Sequence, residues 1–318
     1  MNPIVELAAA AAIYGAARWW YPRAAERASA ARLPVGPDGI IAGAGAMKMQ
    51  PAGATRGVLV LHGFGDTPES VSTLVRALAE RGYAVEAPLL AGHGRTLSEF
   101  AASDSAAWLE SARAGLRSLE ARTPVVAIVG QSLGGALAVL LAAGHPEVRT
   151  LVLLAPYLDA PPSVRLFARA ARVLGAFVPY LTTTDERSIK DPVARERARS
   201  FSSTTPNLTR ELVATADRAR AVFPALTQRV LYLQSPEDNR VSPRVAERAH
   251  AARPSTTLEW VPGSGHVLTA DYQRDAVATL VADWIAKGSG TRWIVTVSPV
   301  LAASALMYVS SDAYGPNT

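Results

Sequence analysis

The residues with the clearest chemical potential form a glycine-flanked turn around Ser132. The segment Gly130–Gly134 reads Gly-Gln-Ser-Leu-Gly and lies between an apolar run, 125–129, and a helical pattern, 133–143. A serine in a sharp strand-to-helix turn presents its hydroxyl above the sheet, and the flanking glycines leave room for the neighbouring strand and helix. We therefore predict that Ser132 is a nucleophile.

A serine hydroxyl is a weak nucleophile near neutral pH, so it needs a base and a group that orients the base. With a serine turn of this kind, the acid and then the histidine follow the serine along the chain. Two histidines, His250 and His266, fit that order. His250 lies inside a helical pattern, which favours a surface or capping role. His266 lies in a glycine-rich loop after an apolar run, where parallel sheets gather their ligands, and we predict it as the base.

The loop after the apolar run 230–233 supplies the candidate acids. It reads Gln-Ser-Pro-Glu-Asp-Asn-Arg-Val over 234–241 and offers Glu237 and Asp238. We predict Asp238, because Glu237 has a longer side chain at the adjacent position and would point elsewhere. Asp271 follows the histidine, breaks the expected order and is predicted to begin the last helix.

Acyl transfer also needs hydrogen-bond donors for the oxyanion of the tetrahedral intermediate, each worth roughly a hundred- to a thousandfold in rate. We predict the backbone N–H groups of Leu133, next to the nucleophile, and of Phe64, in the loop after the first long apolar run. Phe64 and Gln131 are also predicted to contact the substrate. His62 and His93 are predicted to be structural residues that hold their loops by side-chain hydrogen bonds.

The sequence predicts neither a metal nor a cofactor, because no histidine–carboxylate cluster has zinc spacing and no nucleotide-binding glycine loop precedes a helix. Cysteine is absent, which excludes disulfides and a thiol nucleophile. The 32 lysines and arginines exceed the 27 acidic residues by only five, and they are mostly scattered arginines. No nucleic-acid partner is therefore predicted.

The elements that must hold these residues alternate between apolar runs and helical patterns from residue 57 onward. Strands are predicted at 57–61, 83–87, 125–129, 151–154, 230–233 and 258–261, and helices at 70–81, 105–121, 133–143, 243–252 and 271–286. This alternation predicts an α/β fold with a mostly parallel sheet covered on both faces.

The segment between the fourth and fifth of these strands, about 157–227, is too long for a plain crossover. It shows helical periodicity and no strand pattern, so we predict a helical insertion over one end of the sheet and call it the cap segment. Its apolar residues at 164–181 have two open interpretations. They pack the cap segment onto the core, or they line an apolar substrate pocket.

These motifs resemble those of the α/β-hydrolases that include bacterial carboxylesterases and monoacylglycerol lipases. The shared features run in order over about 38–287 and comprise Leu61–Phe64, Pro88–Gly94, the helix of Trp108, Gly130–Gly135, the loop of Asp238 and Gly265–Val267. The resemblance implies the α/β-hydrolase fold, with a mostly parallel central sheet, flanking helices and a helical cap. The sequence departs from the pattern of this family at Gln131, where related sequences often carry Leu, His or Tyr.

The same resemblance implies hydrolysis of carboxylic esters of apolar acyl groups, of the carboxylesterase or monoacylglycerol lipase type. The reaction would pass through an acyl-enzyme on Ser132, with a small-molecule ester or lipid as substrate. A thioesterase or a peptidase with the same triad is an alternative, because one fold serves many reactions. A non-catalytic, membrane-associated binding protein is a further alternative, which the intact Ser132, Asp238 and His266 argue against.

Both ends of the chain lie outside the resemblance. Ile4–Ala17 is apolar apart from Glu6 and precedes Trp19–Tyr21 and several arginines, whereas 293–309 is an apolar run interrupted by Pro299. Each run is shorter than the roughly 20 residues of a spanning helix, and aromatic residues beside arginines are typical of a membrane interface.

Two interpretations of these ends are open. One is membrane attachment, for which the arginines place the catalytic domain on the cytoplasmic side. The other is an amphipathic helix and a tail that pack on the body of a cytoplasmic protein. We divide the chain into an N-terminal helix and linker, 1–37, a hydrolase domain, 38–287, that contains the cap segment, and an apolar C-terminal tail, 288–318.

Overall fold

The computed structural model describes residues 3–182 and 188–288. Its strands are β1 (Met47–Met49), β2 (Gly57–Leu61), β3 (Ala84–Ala87), β4 (Val125–Gln131), β5 (Thr150–Leu154), β6 (Leu181–Thr182), β7 (Ser203–Thr204), β8 (Arg229–Gln234) and β9 (Thr257–Trp260). Its helices are α1 (Pro3–Arg32), α2 (Ser72–Glu80), α3 (Leu97–Ala102), α4 (Ser105–Glu120), α5 (Leu133–Gly144), α6 (Pro162–Arg169), α7 (Ala171–Phe177), α8 (Pro192–Arg197), α9 (Pro206–Val222), α10 (Pro243–Ala252) and α11 (Arg274–Gly288).

The central sheet has the strand order β1-β3-β2-β4-β5-β8-β9. Within the described ranges every neighbouring pair is parallel except β1 and β3, which run antiparallel. The predicted α/β fold with a mostly parallel sheet is thereby confirmed. The sequence prediction missed β1, because a three-residue strand centred on Lys48 carries too few residues to show a period.

Helices cover both faces of the sheet, and β2 shows why its strands are almost wholly apolar. Val58 and Val60 belong to the hydrophobic cluster that contains residues of α2 and α11. Leu59 and Leu61 belong to the cluster on the other face, which contains residues of α4, α5 and α10. Successive side chains of a strand point to opposite faces, so burial on both faces requires a continuous apolar run.

Most predicted elements agree with the structure to within about three residues, and α10 has the predicted bounds. Two predictions were wrong. The last helix begins at Arg274, three residues after the predicted Asp271, whose side chain instead accepts hydrogen bonds from the N–H groups of Lys190 and Gly265. The cap segment does contain strands, since β6 and β7 form a short antiparallel pair. Two residues a strand are too few to produce a recognisable pattern.

The cap segment carries α6, α7, α8 and α9 and contacts two loops of the body. The Phe201 N–H donates to the Gly65 carbonyl oxygen at 2.7 Å, which links the cap segment to the loop after β2. The Val267 N–H donates to the Ser188 carbonyl oxygen at 3.0 Å, which links it to the loop after β9. Both loops follow the carboxyl ends of parallel strands, where α/β sheets place their sites.

Helix α1 lies against the cap segment. The Tyr14 hydroxyl donates to the Ala176 carbonyl oxygen at 2.6 Å, and the Arg18 guanidinium donates to that of Gly175 at 3.2 Å. Among residues 3–182 and 188–288, no helix is long and apolar enough to cross a membrane. The second predicted apolar segment, 293–309, lies outside the described residues.

Candidate active site

Ser132 lies between the last residue of β4 and the first residue of α5, in an unusual backbone conformation. Its φ is +54° and its ψ is −116°, a region that residues with a side chain rarely adopt. The Ser132 N–H donates to the Leu154 carbonyl oxygen at 3.0 Å, and its own carbonyl oxygen accepts from the N–H of Gly135 at 2.9 Å. These bonds hold the strained turn in place.

The glycines of the turn are required by close backbone contacts. A Cβ atom on Gly130 would lie 2.2 Å from the Gly134 carbonyl oxygen. A Cβ atom on Gly134 would lie 2.3 Å from the Leu61 carbonyl oxygen, which belongs to the neighbouring strand β2. Any side chain at either position would therefore push apart the strand and helix that hold Ser132.

His266 lies in the loop after β9, and its ring meets the Ser132 hydroxyl. The distance from His266 Nε2 to Ser132 Oγ is 2.9 Å. Gln131 supports the histidine, since its Nε2 donates to the His266 carbonyl oxygen at 3.0 Å. The Gln131 side chain is buried and thus fixes the histidine backbone. Its predicted contact with substrate stays a prediction.

Asp238 lies in the loop after β8 and accepts a hydrogen bond from the other ring nitrogen of His266. His266 Nδ1 is 2.8 Å from Asp238 Oδ2, which also accepts from Gln234 Nε2 at 2.9 Å. Asp238 Oδ1 accepts from the N–H groups of Arg240 and Val241 at 2.7 and 2.9 Å. Burial opposes ionisation, but the His266 charge and these hydrogen bonds outweigh it and lower the pKa of Asp238. The carboxylate is thus held ionised, and it orients Nε2 toward the serine.

Glu237 and His250, which were not predicted as triad residues, form other interactions. Glu237 forms an ion pair with Lys190 and accepts from the Gly263 N–H at 2.8 Å. His250 Nδ1 donates to the Thr256 carbonyl oxygen at 2.9 Å, in the turn that leads into β9. The structure thus brings together Ser132, Asp238 and His266 and leaves these two out. The catalytic roles of the three remain proposals.

His62 and His93 have the structural contacts that the sequence predicted. His62 Nε2 accepts from the Leu90 N–H at 3.1 Å, and its Nδ1 donates to the Gly63 carbonyl oxygen at 3.0 Å. His93 Nδ1 donates to the Ala91 carbonyl oxygen at 3.0 Å. Burial and the neighbouring His93 lower the pKa of His62 well below its usual value, and burial lowers the pKa of His93 to about 4. Both rings are therefore neutral at neutral pH.

The two predicted oxyanion donors flank the serine turn. Leu133 is the first residue of α5, so its N–H has no carbonyl partner within the helix. Phe64 follows Gly63, where an added Cβ atom would lie 3.4 Å from Ser132 Cβ, so the loop passes beside the serine. Neither N–H donates to a backbone carbonyl oxygen within the part of the chain that the structure describes. Both are free to bind an oxyanion, and that role remains a proposal.

The Phe64 ring is part of an aromatic group beside this loop. It lies 5.2 Å from the Phe100 ring and 5.7 Å from that of Trp108, measured between centroids. Phe100 stacks on Phe201 of the cap segment at 4.9 Å. Phe64 is half-buried, whereas Phe100 and Trp108 are fully buried, so Phe64 forms the accessible edge of the group.

Asp66 is a buried carboxyl near the triad that sequence reasoning missed. Its Oδ1 accepts from the Thr67 N–H at 2.8 Å. Burial raises the pKa of Asp66 to about 6, while hydrogen bonds from Ser70 and Thr67 and the charge of His266 act in the opposite direction. Its place directly after the loop of Phe64 was a usable signal for proximity to the site. Nothing in the sequence marked its burial.

Glu120, His145 and Glu147 form a group that could supply metal ligands, with ligand atoms within 4.8 Å of one another. His145 Nδ1 pairs with Glu147 Oε1 at 2.8 Å, and Glu120 lies farther away at 3.9 Å. The group lies around the end of α5 opposite Ser132. A hydrogen bond from His145 to Glu147, between partly exposed groups, accounts for this geometry without a metal.

Comparisons with known proteins agree with this architecture. The chain is 29% identical over 236 residues to a thermostable monoacylglycerol lipase of Bacillus sp. (strain H-257), a match that covers 74% of this chain and 92% of that protein. It is 25% identical over 240 residues to a carboxylesterase of Bacillus subtilis (strain 168), which covers 74% and 94%. A solved structure of a metagenome-derived lipolytic enzyme has a TM-score of 0.69 at 27% identity and covers 78% of this chain and 99% of that one.

The predicted resemblance to carboxylesterases and monoacylglycerol lipases is thereby confirmed. The family described as serine aminopeptidase, S33, matches residues 53–273, more than two thirds of the chain. The chain belongs to this serine aminopeptidase S33 family of serine hydrolases, with the α/β-hydrolase fold.

Proposed function

We propose that the protein hydrolyses carboxylic esters of apolar acyl groups through an acyl-enzyme on Ser132. The observation that carries the proposal is the hydrogen-bonded chain from Ser132 Oγ to His266 Nε2, at 2.9 Å, and from His266 Nδ1 to Asp238 Oδ2, at 2.8 Å. The identity to a monoacylglycerol lipase and to a carboxylesterase supports ester as the substrate class.

In the proposed reaction, Ser132 Oγ attacks the ester carbonyl carbon while His266 Nε2 takes the hydroxyl proton. The carbonyl oxygen becomes an oxyanion and accepts hydrogen bonds from the N–H groups of Phe64 and Leu133. Collapse of this intermediate breaks the bond to the alcohol, which leaves with the proton from His266. Water then attacks the acyl-enzyme by the same steps, and Asp238 keeps the imidazole oriented and stabilises its positive charge throughout.

The aromatic group beside the oxyanion loop supports an apolar acyl chain. The half-buried Phe64 ring is the part of that group that remains accessible, and Phe201 of the cap segment joins the group from the other side. Contact between an acyl chain and these rings would remove apolar surface from water, which favours binding. The cap segment, 157–227, is in this proposal an insertion that shapes the acyl pocket of the domain 38–287.

The test is hydrolysis of para-nitrophenyl esters of rising chain length by wild type, Ser132→Ala and a matched control, Ser255→Ala. Ser255 is exposed in the turn before β9, so its variant should keep wild-type rates. Loss of a triad serine costs several powers of ten, on the order of a millionfold in turnover. Equal inactivity of all three proteins would refute ester hydrolysis, and equal activity would refute Ser132 as the nucleophile.

A peptidase is the second candidate, because the family description names a serine aminopeptidase. The same triad can acylate on an ester, a thioester or an amide. Esters, thioesters and aminoacyl para-nitroanilides with one common acyl group should therefore be compared at equal concentration. A higher kcat/KM for the anilide than for the ester would overturn our assignment in favour of the peptidase, and a higher value for the thioester would favour a thioesterase.

We also propose that the protein works at a membrane surface, with monoacylglycerol-like lipids as substrates and with the catalytic domain on the cytoplasmic side. The support is the pattern of aromatic residues and arginines after the apolar start of the chain, Ile4–Ala17. In this proposal, 1–37 is a helix and linker that approach the membrane, and 288–318 is a further apolar segment. Recovery of all of the protein in the soluble fraction without detergent would contradict it.

A further inference from the structure

Large apolar side chains are exposed on α1 and on the cap helices α6 and α7. Trp19 and Trp20 of α1 are each 60% exposed. Leu166, Val173 and Phe177 are 67%, 65% and 61% exposed. A single exposed apolar side chain is ordinary, whereas a contiguous group of them marks an interaction site.

Direct contacts join the two elements. The Tyr14 ring lies 5.9 Å from the Phe177 ring, and the Tyr14 hydroxyl donates to the Ala176 carbonyl oxygen. Arg18 donates to the Gly175 carbonyl oxygen from the next turn of α1. These contacts join α1 to α7, the helix that carries Val173 and Phe177. We define the docking face as the exposed side chains of residues 14–16, 18–23 and 166–177.

The docking face on α1 combines tryptophan with arginine. Tyr14, Arg18 and Tyr21 recur every three or four residues and contact the cap segment, so Trp19, Trp20 and Arg23 lie away from that contact. The Arg23 guanidinium lies 4.4 Å from the centroid of the Trp19 ring. Tryptophan rings with basic side chains are the residues that lie at the headgroup level of bilayers.

The charge of the docking face has one sign. Arg18, Arg23, Arg169 and Arg172 are exposed, and the sequence has no Asp or Glu in 7–25 or in 160–182. Such a surface is complementary to an anionic one. Exposed tryptophan rings together with basic side chains suit the headgroup region of a negatively charged bilayer.

We propose that the docking face binds the headgroup region of a bilayer that contains anionic lipids. The inference rests on the proposed work at a membrane surface, for which it names the residues that bind the bilayer, and it is independent of the ester chemistry at Ser132. Helix α1 lies outside the family match, which begins at residue 53. Because α1 contacts the cap segment, docking would place the cap segment next to the lipid.

The test uses the full chain and sedimentation with vesicles of phosphatidylcholine, with or without phosphatidylglycerol. We expect wild type to bind the anionic vesicles and to be released by salt, which screens surface charge. The double variant Arg169→Gln/Arg172→Gln should bind them about 30-fold more weakly, since each basic residue near an anionic surface contributes about fivefold. Trp19→Ala/Trp20→Ala should also weaken binding. Trp260→Ala is the matched control, because Trp260 is an exposed tryptophan on β9.

Hydrolysis of a water-soluble para-nitrophenyl ester, measured on the same samples, separates the two proposals. Active protein that binds neither kind of vesicle would overturn the docking proposal and leave the proposed ester hydrolysis intact. Inactive protein that binds as expected would do the reverse. Equal binding by wild type and both double variants would also overturn the docking proposal. So would a wild-type dimer that becomes a monomer in these two variants, because the face would then be an interface between two copies of the chain.

Discussion

Asp271 offers the sharpest test of how the fold holds the histidine loop. Its side chain is fully buried, and its two oxygens accept four backbone hydrogen bonds. Oδ1 accepts from the N–H groups of Asp191 and Tyr272 at 2.9 and 2.8 Å. Oδ2 accepts from those of Lys190 and Gly265 at 2.9 and 2.6 Å. The carboxylate therefore ties residues 190–191 of the cap segment to the residue before His266.

The substitution Asp271→Asn keeps the shape of the side chain and replaces one oxygen by an NH₂ group. Two of the four N–H groups then face a donor instead of an acceptor. A buried group left without its partner costs about 1 to 3 kcal/mol, so we expect a loss of about 2 to 6 kcal/mol. An unfolding entropy of about 2.1 cal/mol/K per residue gives roughly 0.6 kcal/mol/K for a domain of this size. The thermal midpoint should fall by about 3 to 10 °C.

Thermal unfolding and para-nitrophenyl ester kinetics should be measured on wild type, Asp271→Asn and the control Asp275→Asn, which changes an acidic residue in the first turn of α11. We expect kcat to fall more than KM rises, because Gly265 sets the position of His266 and does not bind the acyl chain. A midpoint within about 1 °C of the control, together with a control-like kcat, would show that the four hydrogen bonds do not hold the loop.

Two further predictions concern Asp66 and the serine turn. The pKa of Asp66 is raised from 3.8 to about 6, so the folded state binds the proton of this carboxyl more tightly than the unfolded state does. The free energy of unfolding therefore falls as pH rises from about 4 to above 6, by about 3 kcal/mol in total. Asp66→Asn should therefore raise the thermal midpoint at pH 8 and not at pH 4, and an equal change at both would contradict the ionised, buried carboxyl. Gly134→Ala should abolish folding or activity because its Cβ would meet the Leu61 carbonyl oxygen, whereas Gly144→Ala, with no atom within 4 Å, should leave both intact. Circular dichroism and the ester assay decide this pair.

The features that could be predicted from the sequence are those that depend on residues close together in the chain or on a known order of residues along it. The strands were recognisable because burial on both faces makes each a continuous apolar run, and Ser132 was recognisable because its turn requires Gly130 and Gly134 in fixed places. The positions of Asp238 and His266 followed from chain order and from the loops at the carboxyl ends of strands. Each of these rules acts over a few residues or over a known order.

The features that escaped prediction depend on residues that are far apart in the chain. Asp271 accepts from Lys190 and Asp191, about 80 residues earlier, and no local pattern marks a carboxylate for that role. Asp66 has a raised pKa because the fold buries it, and an acidic residue in a loop is ordinarily exposed. Helix α1 contacts the cap segment across about 160 residues, and three of its side chains donate to backbone carbonyl oxygens, which any residue supplies and no sequence pattern marks.

The contact between α1 and the cap segment tolerates changes of side chain in the cap segment. Tyr14, Arg18 and Tyr21 bind the carbonyl oxygens of Ala176, Gly175 and Tyr180, and every amino acid supplies such an oxygen. Engineering that changes those three cap residues should therefore leave α1 its hydrogen-bond acceptors. Among the described hydrogen bonds between α1 and the side chains of these three residues, the one from the Tyr180 hydroxyl to Glu26 would be lost.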